Sequence, residues 1–114
     1  MIYILVGLNI LLLVLGQMLW KIGMTKIDNL TFATLLQALF TPHIFGGIFL
    51  YGVATLLWLY ILAKAEFSVV YPLQSLAYAL GVVVAILVFK EQVPVIRWIG
   101  VVMIIVGAFV IARS

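Results

Sequence analysis

The chain has 114 residues, of which 68% are hydrophobic and only 8% charged, with a formal net charge of +3 and a mean hydropathy of +1.44. Water-soluble domains carry about a quarter of their residues as charges, so the composition excludes a soluble globular protein and points to an integral membrane protein. The absence of cysteine removes disulfides, thiol nucleophiles and thiolate metal sites together, and the few cations fall near the ends of apolar runs, where they suit lipid headgroups better than nucleic acid.

The first apolar run predicts a span from about Ile2 to Trp20, closed by Lys21, which can snorkel to the interface. A cleaved signal peptide is a poor match for it: no basic segment precedes Ile2, and no Ala-x-Ala-like site follows Leu15. Within this helix sit Asn9, Gly16 and Gln17, polar or small residues whose presence in hydrocarbon calls for a role. Lys26, Asp28 and Asn29 mark a return to water. Leu30 to Phe40 is too short to span. With Phe32, Leu35, Leu36, Leu39 and Phe40 at helical spacing and Gln37 opposite, it predicts an interfacial helix or an extension of the next span.

Thr41-Pro42 is a helix-start pair, Thr as N-cap and Pro at the first helical position. The second span follows from about Pro42 to Ala63. Gly46, Gly47 and Gly52 are suited to close helix approach, and Tyr51, Thr55 and Trp58 share one face. The short connection Lys64-Ala65-Glu66 predicts an antiparallel third span, from about Val69 to Phe89. Pro72 lies in its first turns, where the missing N–H predicts a broken helix start at Tyr71-Pro72, tolerated only against protein or a wet cavity. Lys90-Glu91-Gln92 forms another short connection, and Pro94 starts a fourth span ending near Ala112.

The architecture expected is therefore all-α, a single domain of four transmembrane helices with a short interfacial helix or extension between spans one and two, and both termini on one side. Lys64 and Arg113 lie with the termini, against Lys21, Lys26, Lys90 and Arg97 on the other side. That bias favours cytoplasmic loops one and three but is small enough to permit insertion either way round.

Three spans each carry a polar-aromatic stripe: Asn9, Leu13, Gly16, Gln17 and Trp20 in the first; Tyr51, Thr55 and Trp58 in the second; Tyr71, Gln74, Ser75 and Tyr78 in the third. Any one of these groups could serve only as interhelical glue, at about 0.6 kcal/mol each. Three coincident stripes predict a shared cavity, with span four at the periphery. Amides, phenols and indoles fit an amphipathic ligand with a polar head and an apolar tail.

No Asp, Glu, Lys, Arg or His lies between about Tyr3 and Trp20 or between about Ile44 and Leu62, although embedded carboxylates are the usual proton or cation sites of transporters. Glu66 and Glu91 fall at connections. Both read first as solvated interfacial charges, beside Lys64 and Lys90; Glu66 has the cavity mouth as its alternative place, because it precedes the broken start of span three, and Lys21 reads as an interface anchor or as an anion-binding group at that mouth. His43 has no partner at metal-ligand spacing. No Ser-His-Asp, paired-carboxylate or phosphate-loop pattern occurs, so no enzyme, metal site or cofactor is expected. Gly100 and Gly107 share a face of span four with Met103 and Ile104, a surface suited to self-association or to packing within one chain.

These residues resemble the drug/metabolite transporter superfamily, in particular its four-span EamA-like members. The resemblance rests on Gly16-Gln17-x-x-x-Lys21, the Tyr71-Pro72 start of span three, Lys90-Glu91-Gln92-Val93-Pro94, and Gly100 with Gly107. The chain looks most like the ArnE/ArnF type of flippase subunit, which moves aminoarabinose-phosphoundecaprenol in bacterial envelopes. Small multidrug resistance proteins share the layout but carry a Glu three residues before the glycine matching Gly16, where this chain has Leu13.

The resemblance implies a multi-pass transporter of the bacterial cytoplasmic membrane acting on a polyprenyl-phosphate-linked sugar, as a homodimer, antiparallel or parallel, or a heterodimer with a paralogue. Its substrate contacts are expected from Asn9, Gln17, Trp20, Lys21, Tyr51, Thr55, Trp58, Glu66, Tyr71, Gln74, Ser75 and Tyr78. The alternatives are a small-molecule exporter coupled through Glu66 and a non-transporting membrane subunit of an envelope glycosylation system.

Overall fold

The computed structural model describes residues 2–27, 29 and 31–114; Asp28 as a marker of water and Leu30 as the start of the short segment lie outside the described residues. The described chain forms six helices: α1 (Ile2–Thr25), α2 (Phe32–Ala38), α3 (Pro42–Lys64), α4 (Phe67–Leu73), α5 (Leu76–Leu87) and α6 (Val95–Arg113). Four apolar stretches are long enough to cross a bilayer: α1, α3, α4 with α5 as one span, and α6.

Helix α1 runs five residues past the expected end at Trp20. Nothing between Trp20 and Thr25 breaks a helix, and Gly23 is used for packing: a Cβ there would lie 2.8 Å from Ile44 Cδ1. At about 1.5 Å per residue, the 24 residues of α1 more than cover a hydrocarbon core of about 30 Å. Lys21 is consequently inside the helix rather than beyond it.

Helix α2 is a separate element, not an extension of the second span. Thr31 caps it reciprocally with Thr34: the Thr31 N–H donates to Thr34 Oγ1 at 2.7 Å and the Thr34 N–H to Thr31 Oγ1 at 3.3 Å. Its apolar residues Phe32, Leu35 and Leu36 are exposed, as is Phe40 just beyond it, the disposition of a helix lying in a headgroup layer. Thr41 then caps α3, accepting from the Ile44 N–H at 3.4 Å, with Pro42 at the first position.

The main seam joins α1 to α3. Gly23 meets Ile44, Gly16 meets Gly47 and Asn9 meets Ala54, so one number rises as the other falls and the helices are antiparallel. Of the three glycines expected to permit close approach, only Gly47 does so. A Cβ at Gly47 would stand 2.5 Å from the Trp20 ring and 2.9 Å from the Gly16 carbonyl oxygen; at Gly46 it would make an ordinary contact with Leu19, and at Gly52 it would meet nothing within 4 Å. Gly46 and Gly52 point elsewhere because they lie one position before and five after Gly47 on a helix of 3.6 residues per turn.

The third span begins at Phe67 and its irregularity falls at Gln74-Ser75, two residues after Pro72. Pro72 cannot donate to the Ser68 carbonyl, and the chain answers with a tightened turn: the Ser75 N–H bonds the Pro72 carbonyl at 3.0 Å and the Tyr78 N–H the Ser75 carbonyl at 2.9 Å. Both residues keep right-handed dihedrals, so the span is pinched, not severed.

Apolar packing gathers Val6, Ile10, Val14, Ile61, Val70, Leu73 and Ala108 into one core at the end of the bundle that holds the termini. Helix α6 is peripheral, resting on α4 and α5 and tied to α1 by the Tyr3 hydroxyl, which donates to the Ala112 carbonyl at 3.0 Å. Gly100 and Gly107 face open space, Met103 is 69% exposed and Ile104 is half-buried.

Candidate functional site

Helices α3 and α5 do not pack along their lengths, whereas α1 contacts both. The result is a cleft of about 940 Å³ with α1 as its back wall and α3 and α4–α5 as its flanks. This is at the upper end of ordinary small-ligand pockets.

The back wall is built from every fourth residue of α1: Asn9, Leu13, Gln17 and Lys21 all line the cleft. Positions four apart lie on one face, so a single row carries an amide, an aliphatic group, a second amide and a cation down the helix. Gly16 and Trp20 lie one residue before this row and turn about 100° away, into the α1–α3 seam. The flanks contribute Tyr51, Thr55 and Trp58 from α3, and Tyr71, Gln74, Ser75 and Tyr78 from the third span.

Two expected residues are not part of the lining. Trp20 is held in the seam, its ring against Gly47 and its Nε1–H donating to the Ile44 carbonyl at 3.1 Å. It reaches the site only indirectly, by stacking on Tyr51 with 5.0 Å between ring centroids. Glu66 is the exposed N-cap residue of α4. Tyr71 and Trp58, 6.4 Å apart by ring centroid, stand at that end of the cleft instead, with Phe67 stacked on Tyr71 at 4.8 Å.

Asn9 is 1% exposed and fully engaged. Its Nδ2 donates to the Ala54 carbonyl at a short 2.6 Å, and its Oδ1 accepts from Gln74 Nε2 at 3.1 Å. It braces the three walls, while Gln17, Tyr51, Thr55, Tyr71 and Tyr78 present exposed surface. The Thr55 hydroxyl donates to the Tyr51 carbonyl one turn back, at 2.9 Å.

The residue missed from sequence is Glu91. It lines the cleft together with Phe89, although its place in a short polar connection suggests a solvated loop. Lys90 adopts a left-handed conformation (φ 55°), and the Glu91 N–H bonds back to the Ala85 carbonyl at 3.1 Å. The connection therefore folds against the end of α5. Left-handed backbone at a lysine is uncommon, and no local sequence signal announces it.

The arrangement suits binding of an amphipathic molecule: polar and aromatic groups set among apolar ones along the cleft, charges at one end, and a gap between α3 and α5. Residues 4–113 match the model of the EamA-like transporter family. The chain is 32% identical over 111 residues to the probable 4-amino-4-deoxy-L-arabinose-phosphoundecaprenol flippase subunit ArnF of Serratia proteamaculans, covering 90% of this chain and 85% of that one. It is 33% identical over 104 residues to the probable flippase subunit ArnE of the same description from Pseudomonas savastanoi pv. phaseolicola, covering 91% and 90%. No solved structure gives a significant match. A match running through all four spans, from residue 4 to residue 113, makes this chain a multi-pass membrane protein of the EamA-like transporter family.

Proposed function

We propose that this protein is a subunit of a flippase that carries a polyprenyl-phosphate-linked sugar across the bacterial cytoplasmic membrane, the 114 residues acting as a single transmembrane unit. The observation that carries the proposal is the lateral cleft, mainly apolar but set with polar and aromatic side chains on three walls, between α3 and α5, which do not pack along their lengths. A headgroup inside it exchanges water for the amide of Gln17, the phenols of Tyr51, Tyr71 and Tyr78, and the Ser75 hydroxyl, while its apolar tail stays among lipids. The names of the relatives, each a flippase subunit for a phosphoundecaprenol sugar, support the same substrate class and a partner subunit. That partner is a second copy, antiparallel or parallel, or a paralogue, and the Gly100–Gly107 face of α6 is the proposed contact.

An exporter of cationic drugs is less well supported. Leu13 stands on the back wall where such proteins carry a carboxylate, and Glu66 lies outside the lining.

The test is reconstitution in liposomes with a polyprenyl-phosphate sugar, supplying both orientations and candidate partner subunits. Headgroup access from outside should rise well above the rate in empty liposomes. Equal rates would remove the flippase proposal.

A further inference from the structure

A second cavity shares no lining residue with the cleft. It is a groove of about 330 Å³ between α1 and α6, floored by the third span. We infer that this groove holds one acyl chain of an anionic phospholipid, with the lipid's phosphate on Arg113. Such a site is separate from the transported substrate and requires only that the chain spans a bilayer.

The groove follows from side-chain size. Tyr3, Gly7 and Ile10 fall at i, i+4 and i+7 on α1, and Ala108 and Ala112 lie four apart on α6, so each helix turns one row toward it. A Cβ at Gly7 would meet nothing within 4 Å, and the two alanines keep the facing row low. The Tyr3 hydroxyl donates to the Ala112 carbonyl at 3.0 Å, which sets the spacing of the two helices at the end that holds the termini. From Tyr3 to Ile10 the groove runs about 10 Å at about 1.5 Å per residue. That depth lies within one leaflet of a hydrocarbon core about 30 Å thick.

Water does not suit this space. Among the lining side chains the one polar group is the Tyr3 hydroxyl, which is already bonded, and a held water needs about two to four polar partners. Left empty, the walls would forfeit dispersion contacts that a hydrocarbon chain restores. The head is indicated at the mouth. The Arg113 guanidinium lies 5.8 Å from the centroid of the Phe109 ring, and Phe109 is part of the lining. A planar cation beside the mouth binds phosphate through paired N–H groups, and an ammonium on the same head would offset that attraction. Phosphatidylglycerol is therefore favoured over phosphatidylcholine. The proposed partner contact leaves the groove uncovered: at about 100° per residue, Ala108, Phe109 and Ala112 point roughly 140° away from the Gly100–Gly107 face of α6.

The experiment uses the full chain in phosphatidylcholine liposomes with a trace of phosphatidylglycerol carrying a diazirine in the first half of one acyl chain. Adducts formed on illumination are mapped by mass spectrometry. They should concentrate in residues 3–10 and 105–112. Phosphatidylcholine with the same diazirine should label these segments about fivefold less, the bias one basic residue gives near a membrane surface. Arg113→Gln should abolish the bias and Arg113→Lys should keep most of it. Gly7→Leu should cut groove labelling several-fold and spare labelling elsewhere. A measurement without variants supports these: unlabelled phosphatidylglycerol should displace the groove label more effectively than the same amount of phosphatidylcholine.

Adducts spread evenly over the lipid-facing helices would overturn the inference, as would equal labelling by the two heads or a bias that survives Arg113→Gln. Preferential labelling of the groove by a diazirine-bearing polyprenyl phosphate would assign it to the tail of a transported lipid and overturn the inference too. No transport is measured, so failure here leaves the flippase proposal standing, and failure of the flippase assay leaves the groove unaffected.

Discussion

Gln74 donates its side-chain amide to Asn9 across 3.1 Å, so the pinched turn of the third span and the buried amide of the first form one unit. Asn9 passes the link on to the Ala54 carbonyl, and three helices meet at one side chain. Without a hydrophobic drive between helices in lipid, such bonds and close packing set how the spans associate.

Replacing Asn9 by Leu removes both bonds while keeping comparable bulk. Interhelical side-chain bonds in membranes average about 0.6 kcal/mol with a maximum near 1.7, so the loss should be about 1–2 kcal/mol. Unfolding in detergent or bicelles measures it. Gln74→Leu should lose less, and the double variant should fall short of the sum, because the two share a bond.

Gly47→Ala should destabilise the α1–α3 seam by about 1–3 kcal/mol, the usual cost of overpacking. The added methyl meets both the Trp20 ring and the Gly16 backbone. Gly52→Ala on the same helix, with open space around it, should be neutral or stabilising. Thermal unfolding of the pair separates close packing from helix propensity.

Gly107→Leu tests association through α6. Gly107 is exposed and a Cβ there meets nothing within 4 Å, so the variant should fold normally, and its unfolding curve checks this. Crosslinking between copies, or to a partner subunit, should drop several-fold. An unchanged pattern would take the α6 face out of the assembly.

Much of this molecule is legible in its sequence. Four apolar runs, the Thr41-Pro42 cap and the coincident polar stripes of three spans lead to the four-helix arrangement and to most of the cleft lining. The departures have separate physical causes. Trp20 shares a stripe with Gln17 on a coarse helical wheel, but the strict four-residue row separates them, and the bare surface of Gly47 draws the indole into the seam. Glu66 looked closer to the cavity because it precedes Pro72, yet the irregularity forms after the proline, at Gln74-Ser75, and leaves Glu66 outside. Glu91 could not be placed from sequence because its position depends on a left-handed lysine. Leu13 was informative from both sides: its apolar character argued against a cation site, and it does line the cleft.

The gap between α3 and α5 has a consequence for the energy of crossing. Withdrawing an alkyl chain from hydrocarbon costs about 0.8 kcal/mol per CH2, so a tail of even ten carbons drawn into a closed channel would add about 8 kcal/mol to the barrier. A slot along the side of the protein avoids that cost, since only the head changes its surroundings. The rate of crossing through such a slot should be nearly indifferent to how long the tail is.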